Sequence, residues 1–431
     1  MRARFFRFTT VAVAIAAAAA CASSEDEVSS QPPGPDGGGQ TPLPDGGDSA
    51  TDASVDRAAP ADATAPESGS LQTCSAAGWC ITELPDEGLN IAEIWPLEKN
   101  AFATAFSTAR GRKIIEWRED APDAGWQFID DNTQQDIPGG VFENIWAPNE
   151  DEVYYTAGLI SDTLTGTRGG FLYHGKRPLP PATNWTWTRT QFDCALASYP
   201  RILGIGSEIY MLSCQKIYRL TGDPDAPDAG IVGDAGSSAW TLEYTDDDPA
   251  ALQFKGGVGT PDDILFVGRR GSCTTIVRKT ETGYRRIVDG ISSGLNCNAK
   301  PGYPRVASMI DFLSIVPGEI VGTVLASGSN NDFFVKVVVD GQGEVSVTEH
   351  RPQSADYGSL WSDSPDEVWV VSNSYRIMHG TGDLGDASSY QHSTIALNGL
   401  PNENVLSRIR GTSKSNLWAT GSDRVFHKTT P

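Results

Sequence analysis

The chain has 431 residues, 39% of them hydrophobic, and a formal net charge of −22 at pH 7. This apolar content is sufficient for a large folded core. The strongly acidic balance argues against nucleic acid as a partner, because an acidic surface and a phosphate backbone repel each other.

Residues 1–20 have the pattern of an export signal. Three arginines precede a run of twelve apolar residues, 9–20, which is shorter than the about 20 residues needed to span a bilayer. The run ends in Ala-Ala-Ala followed by Cys21 and resembles the lipobox of bacterial lipoproteins. That resemblance implies that Cys21 becomes a lipid-anchored N-terminus, and Ala22 after it favours the outer membrane or cell surface. The alternative is an ordinary secretory signal with a chance cysteine.

Residues 21–70 are predicted to form a disordered tether. They are mostly Pro, Gly, Ser, Ala and Asp, and positions 22–70 carry ten acidic residues and one arginine, a charge of −9. Such a segment cannot bury enough apolar surface to offset the entropy lost on ordering. Because the signal contributes +3, the remaining residues, 71–431, carry a charge of −16.

A repeated phrase organises residues 71–431. The segment 357–379, YGSLWSDSPDEVWVVSNSYRIMH, contains three short strands separated by turn residues, and related segments begin near positions 94, 145, 202, 256, 312, 360 and 409. A four-stranded repeat of about 50 residues is typical of a β-propeller blade. We therefore expect an all-β fold, a seven-bladed β-propeller. The chain ends after the third strand of its last repeat, so we expect residues 79–85 to pair with 424–428 and close the ring.

Together with the lipobox and the acidic tether, the W-x-x-S-P-x-E-V-W phrase at 361–369 resembles a broad group of exported bacterial lipoproteins with propeller repeats. The functions of that group are mostly uncharacterised, so the resemblance implies an architecture and a location. It implies no activity, because propellers include both binding proteins and enzymes.

Aromatic residues and histidines recur at fixed positions of the repeat. Trp95, Trp146 and Trp361 occupy one position of the repeat. A second position, on the third strand, is occupied by the histidines at 174, 379 and 427. Packing between blades requires a large residue at the same place each time. We therefore predict that the tryptophans are core residues and not a carbohydrate platform. The histidines should be spread around the ring and not form a metal site.

Seven cysteines are present, and assigning Cys21 to lipid leaves six. An exported protein can retain disulfides, and six cysteines allow fifteen pairings. The propeller arrangement selects three of these pairings: Cys74–Cys80, Cys194–Cys214 and Cys273–Cys297. A redox or zinc site is the alternative, although the chain contains no C-x-x-C pair.

The favoured function is a non-catalytic, monomeric binding or scaffold protein of the cell envelope, with a protein or a glycan as its partner. The rival is a glycan hydrolase or lyase, which would need two loop carboxylates about 5 to 9.5 Å apart. No cofactor is expected and no catalytic residue is assigned. The acidic segments 223–230 and 246–248 offer oxygen ligands for calcium, but we expect them to be solvated loops.

Overall fold

The computed structural model describes residues 73–119, 125–132, 140–159, 169–193, 200–213, 215–226, 231–232, 237, 239–293, 296–324, 333–350, 357–372, 376–383, 386–393, 395 and 405–430. These residues form β-strands almost throughout, and their helical content is a single 3-10 turn, Ala387–Ser389. None of the described helical structure is long and apolar enough to cross a bilayer. Cys21 and the predicted tether lie outside the described residues.

Thirty-one strands are found in these ranges, and most belong to seven antiparallel sheets, the blades. The first strand is β1, Trp79–Thr82. Blade 1 contains β2 to β5: Asn90–Pro96, Asn100–Ser107, Gly111–Arg118 and Gly125–Phe128. Blade 2 contains β6 to β9: Gly140–Asn149, Glu152–Leu159, Gly169–Lys176 and Thr186–Asp193. Blade 3 contains β10 to β12 and β14: Arg201–Ile205, Glu208–Ser213, Lys216–Leu220 and Trp240–Thr245. Between β12 and β14 in the chain, β13 (Ile231–Val232) pairs in parallel with β9 of blade 2.

The later blades repeat this order. Blade 4 contains β15 to β18: Gln253–Thr260, Asp263–Arg270, Cys273–Thr280 and Gly283–Val288. A separate hairpin follows, β19 (Gly290–Ser293) and β20 (Asn296–Ala299). Blade 5 contains β21 to β24: Met309–Leu313, Glu319–Val324, Phe333–Val339 and Val345–His350. Blade 6 contains β25 to β28: Tyr357–Trp361, Glu367–Ser372, Arg376–Thr381 and Tyr390–Ser393. Blade 7 contains β29 to β31: Leu406–Ser413, Asn416–Gly421 and Val425–Lys428.

The ring is closed by the N-terminal strand, as predicted. β1 pairs antiparallel with β31, with Cys80 opposite His427, and so supplies the fourth strand of blade 7. Trp79 is fully buried, and its indole packs edge-on against Trp369 of blade 6 at 6.1 Å between ring centroids. β1 thereby covers the edge of β31, which would otherwise be unpaired.

The apolar core is divided among the interfaces between neighbouring blades. Each of the seven buried clusters in the described residues combines side chains of two adjacent blades. One cluster joins Trp418 of blade 7 to Ile94 of blade 1. Each blade therefore gains its stability from both of its neighbours, as expected of a closed repeat architecture.

The tryptophans of the inner strands make such interblade contacts, in agreement with the prediction. Trp95 Nε1 donates to the carbonyl of Ala147 in blade 2 at 3.0 Å, and Trp361 Nε1 donates to that of Gly411 in blade 7 at 2.8 Å. Trp146 covers Gly204 of blade 3 so closely that a Cβ there would lie 2.0 Å from its ring. A small residue is thus required beneath the tryptophan.

The three third-strand histidines stack on aromatic residues of the second strand. The ring-centroid distance is 4.2 Å between His174 and Tyr154, and the pairs in blades 6 and 7 stack in the same way. In blade 7, His427 Nε2 lies 2.9 Å from Asn416 Oδ1, which also accepts a hydrogen bond from Trp418. These contacts support the structural interpretation of the histidines. Among the described residues, no group of three or more His, Cys, Asp or Glu is suited to a metal ion.

The structure contains two of the three predicted disulfides. In the Cys74–Cys80 disulfide, Cys74 precedes β1 and Cys80 lies within it. The Cys273–Cys297 disulfide connects the β19–β20 hairpin to blade 4. Both members of the third predicted pair, Cys194 and Cys214, lie outside the described residues.

The acidic loops differ from the prediction. Asp225 Oδ2 lies 2.6 Å from Lys176 Nζ, and Asp246 accepts a hydrogen bond from the fully buried Arg270 at 2.7 Å. The solvated-loop interpretation is therefore wrong for these two aspartates, because basic side chains of adjacent strands neutralise them. It holds for Asp247, whose side chain is 84% exposed.

Candidate functional site: the central channel

The inner strands of the seven blades are β2, β6, β10, β15, β21, β25 and β29. Because each blade is antiparallel and adds its strands in chain order, every inner strand begins on the same face of the ring. The turns between second and third strands and the connections between blades lie on that face too. We call it the upper face, and the opposite one the lower face.

A β-bulge recurs in six of the seven inner strands. In blade 1, Ile91 pairs with Ala105 and Glu93 with Thr104, so Ala92 is the extra residue. The same irregularity occurs in blades 2, 4, 5, 6 and 7, whereas β10 of blade 3 pairs without interruption. Bulges change the direction of nearby side chains and are frequent beside functional sites. They occur here at the same height around the channel.

Residues two apart in a strand face the same side, so the inner strands contribute two levels of side chains. We call the upper level the polar ring: Glu93, Asn144, Arg201, Gly256, Asp311, Ser359 and Arg408. We call the other level the lower ring: Trp95, Trp146, Leu203, Val258, Leu313, Trp361 and Arg410. All of these except Ser359, which is fully buried, line one cavity of about 1190 Å³.

Members of the polar ring reach forward to the next blade. Asn144 Oδ1 accepts a hydrogen bond from the amide of Ile202 at 2.6 Å. Ser359 Oγ accepts one from the amide of Ile409 at 3.1 Å. Arg408 Nε donates to Glu93 at 3.1 Å and so joins the last blade to the first. These contacts hold neighbouring inner strands in register around the channel.

Arg410 is the one charged member of the lower ring, and it links four blades. Its guanidinium donates to both oxygens of Asp311 in blade 5, at 2.8 and 3.2 Å. It also donates to Ser359 of blade 6 at 2.8 Å, and its Nε lies 3.3 Å from Glu93 of blade 1. A bidentate arginine–carboxylate pair of this kind is among the stronger polar contacts in proteins.

The charge states of this cluster follow from its surroundings. Burial alone would raise the pKa of Asp311, but Arg410, Arg408 and the Ser359 hydroxyl together hold that pKa below its usual value. Burial would lower the pKa of Arg410, but Asp311 and Glu93 outweigh burial and raise it. The cluster is therefore a fixed ion-pair network at neutral pH.

The upper mouth of the channel is lined on the side of blades 4 and 5 by three segments. These are the β16–β17 turn, the β19–β20 hairpin and the connection into blade 5. Lys255 and Ile310 are the bulged residues of blades 4 and 5, and the side chain of Ile310 is 42% exposed. The Cys273–Cys297 disulfide fixes the hairpin at this mouth.

The charge of the lining is opposite to that of the whole chain. Glu93 and Asp311 are its two acidic residues among the described positions, against six basic ones: Arg201, Lys255, Arg269, Arg305, Arg408 and Arg410. The described lining thus carries a formal charge of +4, within a chain whose net charge is −22.

This arrangement offers little support for glycan hydrolysis. A glycosidase needs a carboxyl group with a raised pKa to protonate the leaving group. Here both lining carboxylates are paired with arginines, and the pKa of Asp311 is lowered. The described channel is suited to binding charged and apolar groups.

The channel residues were not predicted as a site, and Trp95, Trp146 and Trp361 were predicted as core residues only, although the repeat carries a signal for the whole lining. The polar ring consists of the residue immediately before each repeat start, and the lower ring of the residue after it. In blade 4 the equivalent start is Gly257, one residue later than expected. The charge total gave no indication of a basic channel, because a sum over residues carries no information about position.

Comparison with protein-family models finds no match for this chain, and no curated protein matches it. Among solved structures the chain is similar to that of YCF48 bound to D1 peptide, with a TM-score of 0.52 and 13% sequence identity. The similarity covers 84% of this chain and all of the YCF48 chain. At that identity the likeness concerns the fold alone, and it confirms the seven-bladed β-propeller.

Proposed function

We propose that this protein is a lipid-anchored binding protein of the bacterial cell envelope, and that its channel holds an extended segment of a partner protein. The observation that carries the proposal is a cavity of about 1190 Å³ to which all seven inner strands contribute lining residues. Concave sites with apolar walls and a few placed polar groups are the usual form of ligand sites.

A peptide suits the two levels of the lining. The polar ring offers charged and hydrogen-bonding groups to a backbone or to polar side chains. The lower ring offers indole and aliphatic surface to apolar side chains. The solved YCF48 structure, of a similar propeller, is bound to a peptide, which makes a peptide the first ligand class to test.

The anchor rests on the sequence of the N-terminal segment. Cys21 would carry the lipid, and the acidic residues 22–70 would separate the propeller from the membrane. A flexible chain of that length has a root-mean-square reach of about 40 Å. Labelling of growing cells with an alkyne fatty acid should modify the wild-type protein and leave Cys21→Ser unlabelled. Equal labelling of both would contradict the proposed anchor.

The channel is tested by filling it. Ile310→Trp places a larger side chain at a half-exposed position of the lining, and Leu179→Trp is a matched control in the exposed β8–β9 turn of blade 2. A displayed peptide library is selected against the full-length protein, and the recovered peptides are then titrated against both variants. We expect Ile310→Trp to weaken binding at least about tenfold, close to 1.4 kcal/mol, and Leu179→Trp to leave it unchanged.

Two outcomes would overturn the channel proposal. The selected peptides would bind Ile310→Trp as tightly as the wild type, or only envelope glycans from a parallel panel would bind. In the second case, release of new reducing ends would separate an enzyme from a lectin.

A further inference from the structure

We propose that the channel selects an acidic ligand, a protein segment in which Asp and Glu residues are interspersed with apolar ones. This inference rests on the proposed function and adds the chemical class of the partner. It follows from the distribution of charge in the lining, from the composition of the lower ring and from the charge of the surface outside.

The basic residues of the lining fall into two groups, one on each side of the channel. Arg408 and Arg410 are paired with Glu93 and Asp311 on the side formed by blades 5, 6, 7 and 1. The other four basic lining residues come from blades 3 and 4 and from the connection into blade 5: Arg201, Lys255, Arg269 and Arg305. We call these four the cationic arc. No acidic residue of blades 3 or 4 is among the described lining positions.

Two members of the cationic arc differ in their partners. Arg269 Nε donates to the neutral amide oxygen of Gln253 at 3.1 Å. Arg305 forms an ion pair with Glu349 at 3.6 Å, and because its side chain is 51% exposed, solvent weakens that pair. Arginine side chains bind carboxylates in a bidentate manner. Inside a channel with low-dielectric walls their field is stronger than on an open surface.

The lower ring and the outer surface favour a peptide over a uniform polyanion. Trp95, Trp146 and Trp361 provide apolar surface just below the polar ring, which a mixed segment can use and a polyphosphate or polyuronate cannot. A long uniform polyanion would also continue past the channel along a domain of charge −16, where like charges repel. A protein segment can confine its negative charge to the part inside the channel.

The test compares two fluorescent twelve-residue peptides that differ only in charge, one with Asp and Glu among Leu and Trp, the other with Asn and Gln instead. Both are titrated against the full-length protein. We expect the acidic peptide to bind at least about tenfold more tightly at 50 mM salt, and the difference to shrink at 500 mM because salt screens it.

Arg269→Gln combined with Arg305→Gln should remove most of this preference. Lys99→Gln combined with Arg376→Gln is the control, because it removes the same charge from exposed positions outside the lining. We expect a tenfold or greater loss for the first double variant and less than twofold for the second. If the channel variant fails to fold, the salt titration of the wild type provides the same test.

The outcomes separate the two proposals. If both peptides bind equally and Ile310→Trp abolishes binding, the channel remains a peptide site and the acidic preference is wrong. If neither peptide is affected by Ile310→Trp, both proposals fail. If an oligogalacturonate of matched charge binds more tightly than the acidic peptide, the ligand is an anionic glycan and the peptide class is wrong.

Discussion

The two sides of the channel use basic residues differently. On the side of blades 5, 6, 7 and 1, Arg408 and Arg410 meet Glu93 and Asp311 in a network that joins inner strands; we call it the latched arc. On the side of blades 3 and 4, the cationic arc faces no acidic residue among the described lining positions of those blades. Arg201 alone shares the repeat position of Arg408, because Lys255 is a bulged residue, Arg269 lies on β16 and Arg305 lies in the connection into blade 5. The place of a basic residue in the repeat and its neighbours together decide between a role in holding the ring and a role in binding.

The largest expected effect comes from breaking the latched arc. Asp311→Asn removes the charge that Arg410 pairs with, while Arg410 remains in place. Breaking a buried ion pair costs about 3 to 5 kcal/mol. We expect a loss of about 3 to 4 kcal/mol here, because both side chains are partly exposed and Glu93 still pairs with Arg410. Unfolding by urea should show this loss in the free energy of unfolding. Asp311→Asn combined with Arg410→Met should recover part of it, and a loss below about 1 kcal/mol would remove the distinction between the arcs.

The next effect concerns the hairpin at the mouth beside the cationic arc. Cys273→Ser with Cys297→Ser releases a link between residues 24 positions apart, and the loop-entropy relation gives a loss of about 3 kcal/mol. Cys74→Ser with Cys80→Ser, which opens a link of only six positions, should cost about 2 kcal/mol. Chemical denaturation of the oxidised variants measures both values. A larger loss on removal of Cys74–Cys80 than on removal of Cys273–Cys297 would show that loop length does not determine how much each disulfide stabilises the protein.

A third prediction concerns the loss of folding stability at low pH that arises from His427, in the strand that pairs with β1 to close the ring. Burial lowers the pKa of His427 to about 4, below its ordinary value of about 6.5. The unfolded chain therefore binds a proton first as pH falls, and stability is lost between pH 6.5 and 4. The linkage relation gives a loss of about 2 kcal/mol between pH 7.5 and 5.

The corresponding control is His427→Gln, which keeps a donor towards Asn416. Its stability should fall by about 2 kcal/mol less than that of the wild type over the same pH interval. The carboxylates titrate in both chains, so the difference between the two pH profiles isolates His427. Parallel profiles would contradict the effect of burial on this histidine.

The smallest expected effect is in the cationic arc. Arg269→Gln removes a partly exposed charge whose neutral partner is Gln253. Its free energy of unfolding should change by less than about 0.5 kcal/mol, while the affinity for an acidic peptide falls. A loss comparable to that of Asp311→Asn would show that this arginine, too, holds the ring together.

Much of the fold was predictable, because each repeat carries its own strand and turn signals. The motif starts near 94, 145 and 409 lie on inner strands, and the closing strand pairs as expected. The site was less accessible. Arg410 reaches Asp311 in a blade two positions away, 99 residues earlier in the chain, and no local pattern encodes that distance. The net charge was misleading because the described lining has six basic residues against two acidic ones, whereas acidic residues are in the majority in the chain as a whole.

The most direct test of the binding site is photo-crosslinking from inside the channel. A photoreactive diazirine analogue of leucine, close in size to isoleucine, replaces Ile310 in one full-length protein and Leu179 in another, and each is irradiated with the acidic twelve-residue peptide. The channel proposal predicts a crosslink from position 310 that unlabelled peptide competes away, and none from position 179. A crosslink from position 179 alone, or undiminished binding with no crosslink from position 310, would place the ligand outside the channel and contradict the proposal.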